Sequence, residues 1–303
     1  MDMEKKKQIT MRSEQAMFDL ILRVAKDDDR IRAVYMNGSR TNPNAPKDIF
    51  QDYDIVYVVK ETTSFIQDEG WVHVFGDPIM IQEPDRMDQA AGISMNFDRS
   101  YTYLMLFKDG NRIDLHIETH ESMKEGYLGD KLTVPLLDKD QCLPMILPPT
   151  DVDYRVHKPS EVEFHSACNE FWWCLQNVAK GIWRDEMPYA RSMYEQTSKA
   201  MLDRKVSWWI GSQHNYDVST GKMGKYFKTF LPSQIWEKYE ATYADRDHEK
   251  FWDAVFAACE LFRMLATDVA RHCGYLYNVS DDENMTGYLK QVRALPHDVE
   301  GIY

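Results

Sequence analysis

The segment from Met36-Asn37-Gly38-Ser39-Arg40 to Asp52-Tyr53-Asp54-Ile55-Val56-Tyr57-Val58-Val59, with twelve residues between Ser39 and Asp52, decides the architecture of this chain. Ile31 to Met36 is rich in β-formers and runs into the turn pair Asn37-Gly38, and Asp52 to Val59 alternates and is β-branched, so each predicts a strand. Side chains at i and i+2 of a strand share a face. Asp52 and Asp54 therefore project together, while Tyr53, Ile55 and Tyr57 point the other way. Adjacent carboxylates repel unless a cation lies between them. Hard oxygen ligands suit Mg²⁺, which binds one or two carboxylates together with phosphates.

Outward from this segment, Tyr101 to Phe107, Asp109-Gly110 and Asn111 to Glu118 predict a hairpin with an Asp-Gly turn. Its second strand puts Ile113, Leu115 and Ile117 on one face and Arg112, Asp114, His116 and Glu118 on the other. Beside the Asp52–Asp54 strand, Asp114 would complete a carboxylate triad, a set able to hold two metal ions about 3.5–4 Å apart. Gly38, lacking a Cβ, lets backbone N–H groups approach a triphosphate. The Ser39 hydroxyl can donate to a phosphate oxygen, and Arg40 can add a charge-assisted contact. His116, Glu118 and His120 spell H-x-E-x-H, but zinc sites of the H-E-x-x-H kind need a helix, so zinc is not expected.

Residues 1–10 are polar and are expected to be a flexible tail; Ser13 is the expected N-cap of a helix carrying Ala16, Met17, Leu20, Ile21, Val24 and Ala25. Trp71 to Phe75 and Ile79 to Gln82, flanking Gly76-Asp77-Pro78, are further expected strands. Residues 11–135 thus hold one helix and about five strands, an α+β module with a mixed sheet. Pro144, Pro148, Pro149 and Pro159, with Pro135 upstream, mark a boundary near residue 150, because proline disfavours helix interiors and central strands. Beyond it, Phe164, Cys168, Phe171, Trp172, Leu175, Val178, Ala179 and Ile182 form an apolar helical stripe, and helices are expected at 189–211, 232–243 and 248–272. Residues 151–303 should form a helical bundle.

The 303 residues are 44% apolar, enough for two cores, and no apolar run approaches the ~20 residues of a membrane helix. Nothing near Met1 reads as a secretion signal. Cys142, Cys168, Cys174, Cys259 and Cys273 are odd in number and lack a C-x-x-C pattern, which fits reduced thiols and a cytoplasmic protein. The net charge of −13 argues against general nucleic-acid binding and permits a polycationic ligand.

The order of β-strand, Gly38-Ser39, Asp52-x-Asp54 and a later strand with Asp114 resembles the DNA-polymerase-β-type nucleotidyltransferase superfamily. More narrowly, the chain is similar to the aminoglycoside 6-adenylyltransferases, also called streptomycin adenylyltransferases. The similarity is carried by Met11-Arg12-Ser13-Glu14, Gly38-Ser39-Arg40-Thr41-Asn42, Phe50-Gln51-Asp52-Tyr53-Asp54-Ile55, Leu137-Asp138-Lys139-Asp140, Cys168-Asn169-Glu170-Phe171-Trp172, Lys180-Gly181 and Gly221-Lys222. It runs from Met11 to about Tyr288. The resemblance implies an N-terminal nucleotidyltransferase domain over 11–150 and a helical substrate- and nucleotide-binding domain over 151–303. ATP would be the donor, a hydroxyl of a cationic aminoglycoside (the 6-hydroxyl of streptomycin) the acceptor, and two Mg²⁺ ions would sit on Asp52, Asp54 and Asp114. Asp114 is the expected general base, with Glu118 as second candidate. Lys180, Lys222 and Lys225 are expected phosphate ligands. Gly221-Lys222-Met223-Gly224-Lys225 lacks the pattern and strand context of a P-loop. For the drug, Glu118 and Glu170 supply carboxylates and Trp173 a stacking face, with Asp185 and Glu186 as further acids. A nucleotidyltransferase acting on another hydroxyl compound, a protein or an RNA end, or an inactive nucleotide-binding module, would share much of this pattern.

Overall fold

The computed structural model describes residues 10–296, 298–299 and 301–302. The chain divides into two compact units, residues 1–153 and 154–303. Nine of the ten residues of the expected tail lie outside the described residues.

In the first unit, helix α1 (Glu14–Asp27) is capped by Ser13, whose hydroxyl accepts from the Ala16 N–H. Strands β1 (Ile31–Asn37) and β2 (Tyr53–Val59) follow, then α2 (Thr63–Gln67), β3 (Pro78–Gln82), α3 (Pro84–Ala90), β4 (Ser100–Phe107), β5 (Arg112–Thr119), α4 (His120–Gly126) and β6 (Val134–Asp138). The six strands form one mixed sheet in the order β3-β4-β5-β2-β1-β6, with β2 and β5 parallel and every other pair antiparallel. One face buries Val34, Met36, Ile55, Tyr57, Tyr103, Leu115 and Ile117 against Met17, Ile21 and Ala25 of α1. The other face is split. Ala33, Tyr35, Val56 and Val58 pack on Met123 and Tyr127 around α4, while Asp54 and Asp114 lie farther along the same face toward Gly38.

Residues 71–75 are not a strand but a 3₁₀ turn. Val72 and Phe75 are buried while His73 and Val74 are not, a spacing of three where a half-buried strand needs two. Trp71 packs edge-on against Phe65, Phe75 and Tyr103. Strand β6 was hidden by Pro135, which an edge strand tolerates because no outer neighbour needs its missing N–H.

The second unit contains α5 (Glu161–Trp183), α6 (Met187–Met193), α7 (Lys199–Gln213), α8 (Phe227–Phe230), α9 (Ser233–Glu240), α10 (His248–Cys273) and α11 (Val279–Ala294). A reciprocal capping box, Ser160 with Glu163, starts α5. The expected apolar stripe of α5 is buried, and Phe171 stacks on Phe262 of α10 with ring centroids 3.8 Å apart. The single helix expected over 189–211 is α6 and α7, joined through a π turn at Tyr194–Ser198, where the Thr197 hydroxyl donates to the Met193 carbonyl. Helix α11 had no clear apolar period; it docks through Leu289 and Val292 and is capped by Asn278.

Candidate active site

The register of the sheet assembles the acids. Asp54 lies opposite Asn37 of β1 on one side and opposite Asp114 of β5 on the other. Asp52 sits just ahead of β2, on the Asp54 side of the pleat. One carboxylate oxygen from each of Asp52, Asp54 and Asp114 lies within 4.8 Å of the other two, the one cluster of metal-ligating side chains among the described residues.

Asp54 lies beside the other two carboxylates and is largely enclosed. Burial, and then the Asp52 and Asp114 charges, push its pKa up to about 7, against the pull of Arg112 and Arg40. Such crowding of negative charge is what a bound cation would relieve, so the donor set fits a hard divalent metal. Arg112 reaches the same carboxylates. Its Nε lies 2.7 Å from Oδ1 of Asp114, Nη2 lies 2.6 Å from Oδ2, and Nε stands 4.0 Å from Oδ2 of Asp52.

Gly38 follows β1 directly with φ +77°, and a Cβ there would fall 1.9 Å from Oδ2 of Asp54. The glycine is therefore required twice over, by its left-handed backbone and by the carboxylate pressed against it. The turn is fixed by the Thr41 hydroxyl, 2.9 Å from the Gly38 carbonyl and 2.8 Å from the Leu132 carbonyl. Gln51 Nε2 is 3.4 Å from the Ser39 carbonyl.

Arg40, expected on a phosphate, is held by groups of the protein itself. Its guanidinium donates to the backbone carbonyls of Asp52 and Gln51, pairs with Glu14 at 3.0 Å, and lies 3.7 Å from the Tyr53 ring centroid. Each end of the fork is already committed, and what it does is hold the segment that carries Asp52 against β1.

A cleft of about 460 Å³ opens on this face, lined by Asn37, Gly38, Asp54, Thr102, Asp114, His116, Glu118 and Asp130 among others. Glu118 is 4% exposed and accepts a hydrogen bond from the Tyr35 hydroxyl. His116 Nδ1 lies 3.0 Å from the Thr102 hydroxyl. Burial draws its pKa down, with Glu118 and Asp85 pulling the other way. His120 is the exposed first residue of α4. Tyr35, Asn37, Thr102 and Asp130 were not singled out by the sequence. For Tyr35 and Asn37 the alternation of β1 was the available signal; Thr102 is legible only once β4 is registered against His116.

The remaining expected residues belong to the second unit. Lys180 donates to Asn177 at 2.9 Å and lines a cavity of about 240 Å³ with Trp183, Arg184 and Tyr288. Glu170, on the exposed face of α5, accepts from the Cys174 thiol, and Trp173 is 62% exposed beside Asn169 and Asp281. Lys222 opens a short 3₁₀ turn (Lys222–Gly224) that Gly221 precedes and Lys225 follows, and Gly221, Met223 and Gly224 all have positive φ; Lys225 Nζ is 5.1 Å from the Tyr226 ring centroid. Asp185 lies 3.1 Å from His248, and Glu186 4.0 Å from Arg184.

Residues 11–292 match the family model described as streptomycin adenylyltransferase. The chain is 36% identical over 281 residues to an aminoglycoside 6-adenylyltransferase of Campylobacter jejuni, covering 93% of this chain and 96% of the relative. It is also 36% identical over 283 residues to one of Bacillus subtilis (strain 168), covering 93% and 98%. The crystal structure of an aminoglycoside 6-adenyltransferase from Bacillus subtilis aligns over 94% of this chain and 100% of its own, at 32% identity and a TM-score of 0.47. With a family model spanning nearly its whole length, the chain belongs to the streptomycin adenylyltransferase family.

Proposed function

We propose that the protein transfers the adenylyl group of ATP to a hydroxyl of an aminoglycoside, the 6-hydroxyl of streptomycin, releases pyrophosphate and so inactivates the drug. The observation that carries this reading is the convergence of three carboxylates beside a glycine turn at one end of the sheet. Family membership supports adenylyl transfer, and the names of the relatives support an aminoglycoside acceptor.

Asp52, Asp54 and Asp114 would hold Mg²⁺, which would polarise the α-phosphate and neutralise charge on the departing pyrophosphate. The acceptor oxygen forms a bond to the α-phosphorus as the bond to the pyrophosphate oxygen breaks. The proton of the acceptor hydroxyl passes to Asp114, our choice of general base, with Glu118 two residues along the same strand face as the alternative. Gly38 and Ser39 take the phosphate chain through backbone N–H groups and the Ser39 hydroxyl. Lys180, Lys222 and Lys225 supply positive charge to it, while Glu118, Glu170 and Trp173 receive the cationic drug. In-line positioning and charge neutralisation supply most of the rate. We place the reaction in the cytoplasm, where ATP is made available.

The test is pyrophosphate release from purified protein and MgATP with streptomycin, kanamycin or spectinomycin added singly. Streptomycin alone should stimulate release, and Asp52→Asn should abolish it. Undiminished turnover in that variant would refute the carboxylate assignment, and stimulation by kanamycin instead would redirect the acceptor.

A further inference from the structure

The triad already holds a cation, and it belongs to the protein. Arg112 precedes Asp114 by two residues on β5, so both side chains rise from the same face. The guanidinium meets Asp114 fork to fork and occupies both carboxylate oxygens, at 2.7 and 2.6 Å. It also stands 4.0 Å from Asp52. Asp114 is enclosed, its side chain 18% exposed, whereas the Arg112 side chain is 47% exposed. A long side chain half in solvent can swing away; a short carboxylate on a central strand cannot.

We propose that Arg112 is a displaceable internal counter-cation of the metal site, and that it passes to the phosphates of the nucleotide when a divalent cation takes Asp114. This rests on the metal role of the triad. The argument is one of valence and geometry. An ion coordinated by Asp114 must share an oxygen that already accepts from Arg112 and meet the guanidinium charge at close range, so the two compete. One positive charge leaves three crowded carboxylates under-neutralised, and a doubly charged ion serves them better. The freed guanidinium has the planar fork that matches phosphate oxygens as well as carboxylates, and its half-exposed side chain can turn from Asp114 toward phosphates bound beside the acids. The pair thereby keeps the empty site from binding stray cations firmly and links metal loading to nucleotide loading.

The experiment measures Mn²⁺ binding to nucleotide-free full-length protein by electron paramagnetic resonance of the free ion. It then measures binding of α,β-methylene-ATP with Mn²⁺ saturating. Arg112→Gln should bind Mn²⁺ roughly tenfold more tightly than wild type, the worth of one bidentate charged contact. The same variant should bind the analogue several-fold more weakly. Unchanged or weakened Mn²⁺ affinity would overturn the competition, and unchanged analogue affinity would overturn the handover. Asp114→Asn separates this from the underlying reading: if that variant binds Mn²⁺ like wild type, the metal assignment itself fails. Should Arg112→Gln fold poorly, the wild-type ¹⁵Nε resonance of Arg112, assigned by its loss in Arg112→Lys, must shift when Mg²⁺ is added without nucleotide. A resonance that does not move overturns the proposal.

Discussion

Single residues carry the site, and Gly38 shows how tightly. A methyl group there would overlap the Asp54 carboxylate and demand a left-handed backbone from a residue with a Cβ. Gly38→Ala should therefore lower kcat by about 100-fold through displacement of Asp54, while melting falls by only about 2–4 °C, the effect of roughly 1 kcal/mol in a unit of this size. Stopped or steady-state kinetics beside a thermal melt checks the split; equal loss of both would mean that the turn matters only for folding. Asp109 plays the structural counterpart. Burial works to raise its pKa, but the Arg12 guanidinium, Asn111 and two backbone N–H groups outweigh that and hold it well below 3.8. A carboxyl whose folded pKa is depressed stabilises above its unfolded pKa and loses that contribution as pH falls toward the folded value. Wild type should thus melt above Asp109→Asn at pH 7, and the gap should narrow below about pH 4. A gap that does not change with pH would show that the ion pair contributes nothing.

At the scale of elements, those with a strong period were legible and those with punctuation were not. Strands β4 and β5 alternate, β1 and β2 are short runs of β-formers buried on both faces, and helices α1, α5 and α10 carry a continuous apolar stripe. Strand β6 contains Pro135, α11 fully buries just two apolar side chains, Leu289 and Val292, with Met285 and Tyr288 partly buried beside them, and residues 71–75 look β-branched while folding with a period of three. Helix α7 holds the least expected feature, Lys205, wholly buried with Nζ donating to the Phe164 carbonyl at 3.0 Å and lying 3.7 Å from the Phe164 ring centroid. Burial drives its pKa down to about 8, with Cys168 pulling upward. Between about pH 8 and the unfolded value of 10.5 the unfolded chain keeps a proton that the folded protein has released, so this group's contribution to stability rises with pH. Relative to Lys205→Met, wild type should gain melting temperature between pH 7 and pH ~9.5. A flat difference would place the ammonium in water rather than among rings.

The whole molecule carries a net charge of −13, and the acceptor proposed for it is a polycation. Fields of that size attract an oppositely charged ligand and are screened by salt over about 8–10 Å. KM for streptomycin should rise several-fold between about 50 and 300 mM KCl with little change in kcat. A KM indifferent to salt would confine recognition to short-range contacts in the pocket. No helix among the described residues is long and apolar enough to cross a membrane.

What the sequence determined alone was local and periodic. The faces of β2 and β5 and the apolar stripe of α5 follow from spacing along the chain, because strand and helix geometry convert sequence separation into direction, while the family was legible as a resemblance carried by motifs such as Gly38-Ser39-Arg40 and Asp52-Tyr53-Asp54. What only the tertiary structure decided was pairing across the chain. That β2 and β5 run parallel, with Asp54 abreast of Asp114, is a fact of sheet register. That Arg40 is consumed by Glu14 and by the backbone ahead of Asp52, while Arg112 sits on the acids, depends on which long side chain can reach which partner. A flexible cation can satisfy several acids equally well in sequence, and only packing selects one.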